Sequence, residues 1–155
     1  MATILWRPLL AAIGVVTVAA GAPPLVSGMP RALAEMSRSE QLSVTSHLHY
    51  IDSKGAYLIE EGEASGPLAG RVRARIRVAA EVSGSFTFYP QGGSISGRGG
   101  GRLHESGIYA SFGGTVTILG GTGRYAHARG AGGFYGVYDR KTLGVTIQTT
   151  GTLSY

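Results

Sequence analysis

From residue 41 onward the chain alternates apolar and polar side chains with a period of two, and no stretch sustains a helical period. The run Arg71 to Val78 shows it without a break. Val72, Ala74, Ile76 and Val78 share one parity, and Arg71, Arg73, Arg75 and Arg77 share the other. Successive side chains of a strand point to opposite faces, so such a run predicts a half-buried strand with one wet face. The same reading gives a first strand with Leu42, Val44, Leu48 and Tyr50 on one face, and a second from Tyr57 to Ser65, closed by Gly66-Pro67. Val82, Phe86 and Phe88 mark a fourth, stopped at Pro90-Gln91-Gly92-Gly93, and Ile95 a glycine-loaded fifth. Ile108, Ala110, Phe112, Val116 and Ile118 mark the sixth. Gly130, Gly132, Phe134, Gly136 and Tyr138 mark the seventh, and Val145, Ile147, Leu153 and Tyr155 the eighth. About eight short strands joined by short turns predict a sandwich or a barrel. Eight strands suffice to close a barrel that is filled by side chains or holds one small ligand. The predicted fold is therefore all-β, a single antiparallel eight-stranded β-barrel over residues 41–155.

Composition agrees. Of 155 residues, 26 are glycine and only 15% are charged, which suits turns, bulges and closely packed walls. There is no cysteine, so disulfides and thiolate metal sites are excluded. Residues 1–34 read as a signal peptide. Arg7 precedes the uncharged apolar run Pro8 to Ala20, and Ala32-Leu33-Ala34 places small residues before a cut at Glu35. That run is short for a membrane span of about 20 residues, although Gly21 to Val26 extends it and leaves a retained anchor as the alternative. Residues 35–40 are expected to be a flexible leader. Without residues 1–34 the chain keeps 12 basic and 9 acidic side chains, a mild net +3, which argues against a dedicated nucleic-acid binder. The expected setting is secreted or cell-surface, with no stable membrane insertion after cleavage.

The stretch Val116 to Gly130, VTILGGTGRYAHARG, resembles the signature of the allene oxide cyclase-like barrels, a superfamily that includes the dirigent proteins and small exported bacterial domains. The residues carrying the resemblance are Gly120, Gly121, Thr122, Gly123, Tyr125, Ala128, Arg129 and Gly130. Gly93-Ser94 with Gly97-Arg98, and the turn Asp139-Arg140-Lys141-Thr142, fit the flanking pieces. The chain looks closer to the bacterial group than to the plant enzymes. The resemblance implies a lumen in which inward polar side chains steer a cyclisation or a coupling, and a homo-oligomer, trimer or dimer. Independently of any family, consecutive glycines let a chain leave a strand sharply, here into a turn over Arg124 to His127. A phosphate cradle is disfavoured, because no helix follows the glycines.

An inward apolar parity would line the lumen with Tyr50, Leu58, Phe86, Phe88, Phe112, Phe134 and Tyr138, the candidate ligand-binding residues. Glu60 shares a parity with Leu58, Gly62 and Ala64 and would point inward too. A carboxyl in an apolar cavity has its pKa raised and can act as a general acid or base. Glu60 is the candidate catalytic residue; the alternatives are a hydrated place at the rim or a bulge that reverses the parity. The four alternating arginines read as a solvated outer face, cross-paired with Glu61 and Glu63, with an anion-binding role as the rival. His47 and His49 share an outer face, but no third ligand has the spacing for a metal site, and no cofactor is expected. Arg129 is expected to tie the glycine turn to a carbonyl or to Asp139. No nucleophile elbow or phosphate loop is present. Two functions remain open: an exported barrel binding a small apolar or aromatic molecule, with cyclase-like chemistry if it is an enzyme, or a non-catalytic structural or interaction domain at the cell surface. A pocket of about 300 Å³ or more reached by Glu60 would select the first, and a filled lumen the second.

Overall fold

The computed structural model describes residues 39–105 and 107–155. The signal peptide and its cleavage site lie outside the described residues. The strands are β1 (Ser39–Lys54), β2 (Tyr57–Ser65), β3 (Gly70–Val78), β4 (Glu81–Pro90), β5 (Gly93–Glu105), β6 (Tyr109–Gly123), β7 (Arg129–Asp139) and β8 (Gly144–Ser154). Each pairs antiparallel with the next, and β1 pairs with β8, so the sheet is a closed barrel in sequence order. Closure removes both free edges, which an open sheet of this composition would have to protect.

Burial follows the alternation. Leu42, Val44 and Leu48 of β1, Val72, Ala74 and Ile76 of β3, Phe112 and Ile118 of β6, and Leu153 of β8 are all buried in one core. Arg71, Arg73, Arg75 and Arg77 are all exposed. Two boundaries differ from the sequence reading. Ser39 and Glu40 belong to β1, because they pair with Ser154 and Leu153, so the leader expected over 35–40 loses its last two residues. Ile108 precedes β6 and is exposed rather than inward, because β6 pairing begins at Tyr109.

Three bulges shape the wall. The register of β1 against β2 skips Ile51, that of β5 against β6 skips Leu119, and a third shift passes over His104. Such an extra residue is left without a ladder partner and bends its strand. The Leu119 bulge explains Arg129: its guanidinium Nη1 donates to the Leu119 and Ala128 carbonyls at 2.7 Å each. The turn lies at Arg124 to His127 as expected. Gly123 adopts φ +60°, and a Cβ on Gly121 would meet Tyr125 at its carbonyl oxygen (2.7 Å) and its Cβ (3.1 Å). The two glycines therefore let Tyr125 fold back into the barrel end, where it packs with Leu68 and Ala128 in the core and against the Tyr155 ring at 4.8 Å. The GGTG…ARG segment is thus a plug with a tie. Arg129→Met should lower unfolding free energy by about 1 kcal/mol, the order of an exposed charge-assisted hydrogen bond, seen as a lower denaturant midpoint at unchanged slope.

Candidate functional site: a buried carboxyl in a filled lumen

The Ile51 bulge falls on β1 rather than β2. The alternation of β2 therefore runs on undisturbed, and Glu60 stays inward with Gly62 and Ala64. Its register partners are Tyr50 on β1 and Ala74 on β3. Glu60 is 0% exposed, and neither carboxyl oxygen has a hydrogen-bond partner. Burial pushes its pKa up from 4.5 to about 7. Around neutrality the group is thus divided between acid and carboxylate, the condition for moving a proton. The Tyr138 hydroxyl is also raised, first by its own burial and then by the charge of Glu60, which places the two within electrostatic reach.

The lumen itself is narrow. Phe86 and Phe88 meet edge to face at 5.3 Å, and Phe112 and Phe134 at 6.0 Å. Between them lies an apolar cavity of about 70 Å³, and a second of about 20 Å³ lies toward Leu42 and Leu68. Pockets for drug-sized ligands run to about 300 Å³ or more. Of the expected ligand-binding residues, Phe86, Phe88, Phe112 and Phe134 line the larger cavity; Tyr50, Leu58 and Tyr138 do not. Nor does Glu60, although its neighbours Leu48 and Ala74 do. Four phenylalanine rings fill the space that the alternation alone would leave open.

The outer wall is different. Glu61 and Arg73 are paired at 3.3 Å, as expected. The expected Glu63–Arg71 pair does not form; Arg71 instead lies over the Tyr89 ring at 5.0 Å, and Arg75 over Tyr57 at 4.2 Å. Exposed ion pairs are weak enough for a ring to compete with them. A double-mutant cycle on Glu61 and Arg73 should return a coupling of about 0.2–1 kcal/mol that shrinks in high salt. His47 Nδ1 lies 3.2 Å from Thr146 Oγ1, and among the described residues no three metal-ligating side chains gather around it. Tyr109, Leu119 and Tyr135 are exposed on the outside, with Val137 half-buried. The sequence reading passed over Ser83, Ser85 and Thr87. They alternate with Val82, Phe86 and Phe88 and so occupy the outer face of β4, directly opposite Arg77, Arg75 and Arg73. The signal was the same period of two, read only for its apolar half.

No known protein family, curated protein or solved structure matches the chain.

Proposed function

We propose that the chain is a barrel-scaffolded binding domain whose working surface is the outer wall, rather than an enzyme acting inside its lumen. The observation that carries this reading is the size of the space among Phe86, Phe112 and Phe134, about 70 Å³, well short of the roughly 300 Å³ of a drug-sized pocket. The leader read over residues 1–34 supports an extracytoplasmic setting, secreted or at the cell surface. The exposed Leu119 and Tyr135 support self-association as a dimer or trimer, and sedimentation showing only a monomer would remove that part.

One observation favours the other reading. A buried carboxyl without any hydrogen bond is destabilising, and such groups concentrate at functional sites. Together with the resemblance to the allene oxide cyclase-like barrels, it supports a lumen that opens for a small apolar molecule, with Glu60 as acid or base. Indole and naphthalene separate the two. On the outer-wall reading, near-saturating amounts leave the melting temperature within about 1 °C of the free protein, since a ligand that binds the native state must raise it. A saturable rise that Glu60→Gln abolishes would overturn the outer-wall reading in favour of the lumen.

A further inference from the structure

The outer faces of β3, β4 and β5 form an ordered array. In register across three strands stand Arg77, Ser83 and Gly100; then Arg75, Ser85 and Arg98; then Arg73, Thr87 and Ser96. Neighbouring strands lie about 4.8 Å apart, and same-face residues repeat about every 6.8 Å along a strand. A column of hydroxyls on β4 therefore runs between arginines, and Ser85 has one on each side. Two surface recesses of about 210 Å³ each lie along the β3–β4 seam and share Arg75 and Ser85.

The arginines are poorly neutralised. Among the described residues the one ion pair is Arg73 with Glu61. Arg71 and Arg75 are held by tyrosine rings, which orient a guanidinium without using up its in-plane N–H donors. With Arg98 and Arg102, the strip carries six of the 12 basic side chains of residues 35–155. The acidic side chains on these strands and on the adjoining β2 wall are Glu61, Glu63, Glu81 and Glu105.

We infer that this strip is a binding track for an acidic polysaccharide, a linear chain of carboxylate-bearing sugars. The inference rests on the outer-wall reading above and gives it a ligand class. Arginine forks match carboxylates in two-point contacts. The hydroxyls of Ser83 and Ser85 can both donate to and accept from sugar hydroxyls, while those of Thr87 and Ser96, 3.1 Å apart, bond each other. Nucleic acid fits less well, because the two aromatic faces nearby, Tyr57 and Tyr89, carry guanidinium groups and offer bases no stacking platform. A membrane surface fits less well too. Among the described residues, of the large exposed apolar side chains only Tyr89 belongs to this strip, while Ile51, Ile108, Tyr109, Leu119 and Tyr135 lie off it.

Calorimetry on the full-length chain tests this with a galacturonate hexamer, maltohexaose as its neutral counterpart, an oligothymidylate and vesicles of anionic phospholipid. The hexamer binds, its affinity falls several-fold between about 0.05 and 0.15 M salt, and maltohexaose does not bind. Arg75→Gln and Arg98→Gln each weaken the hexamer about ten-fold while keeping the melting temperature, and Arg140→Gln, in the β7–β8 turn, changes it less than about two-fold. Absence of hexamer binding, or an equal loss in Arg140→Gln, overturns the track. Tighter capture of oligothymidylate or vesicles through Arg75 and Arg98 overturns the sugar assignment and leaves the outer-wall reading standing. Hexamer binding that ignores Arg75 and Arg98 but is lost in Glu60→Gln overturns both.

Discussion

Glu60→Gln makes the barrel more stable at pH 8 than the native chain, by about 3 kcal/mol, and removes most of its pH dependence between pH 4.5 and 7. The native carboxyl titrates near 4.5 when exposed and at about 7 when folded, because burial opposes the charge. A folded pKa above the unfolded one means that the folded state binds more protons between those values. Stability is therefore full below pH 4.5, falls by about 1.4 kcal/mol per pH unit up to pH 7, and is flat above it. Glutamine keeps the shape and carries no charge, so its curve lacks that slope. Its amide would also be buried without partners, which sets a ceiling on the gain. Urea melts of both proteins at pH 5 and pH 8 read the difference. A native chain equally stable at both values would contradict the buried carboxyl.

The second large effect concerns two glycines that face each other. Gly132 of β7 and Gly151 of β8 are register partners on the inner wall. A Cβ on Gly151 would run into the Ala131 carbonyl oxygen and would lie 2.7 Å from the Gly132 Cα; one on Gly132 would run into the Thr150 carbonyl oxygen and lie 2.8 Å from the Gly151 Cα. These neighbours are backbone, so relief requires two strands to separate. Overpacking against backbone should cost about 3 kcal/mol for Gly151→Ala, a large share of the roughly 5–15 kcal/mol a small domain has. Gly133 provides the control one residue away. It faces the other side, and a Cβ there meets nothing nearer than the Gly114 carbonyl oxygen at 3.6 Å. Gly133→Ala should change stability by no more than about 0.5 kcal/mol, or raise it slightly through the unfolded chain. Thermal melts of the two variants side by side check the contrast.

Much of the barrel is written in the alternation, because each strand needs only its own parity to declare a face. The bounds of β2, the inward Glu60 and the outward arginines all follow from it. What the alternation leaves open is pairing between strands. The bulges at Ile51, His104 and Leu119 depend on register, so the sequence pointed Arg129 to a carbonyl or to Asp139 without choosing the Leu119 and Ala128 carbonyls, and the row Arg75–Ser85–Arg98 was not visible in one dimension. Ile59 shows a second limit. It lies on the outer parity of β2 yet is buried, in a recess it shares with Arg73 and Arg75, whose aliphatic stems can cover apolar surface. The size of the lumen is a third. Phe86, Phe88, Phe112 and Phe134 point inward in either case, and only their ring packing decides whether they line a pocket or fill it.

One acid is buried inside the barrel while the arginines stand outside, and everything above depends on that burial. Carbon-13 NMR of the Glu60 side-chain carboxyl through a pH series reports on it directly. A midpoint near 7 is the result predicted for the buried carboxyl. A midpoint near 4.5 would mean that water reaches Glu60, and would contradict its burial inside the barrel.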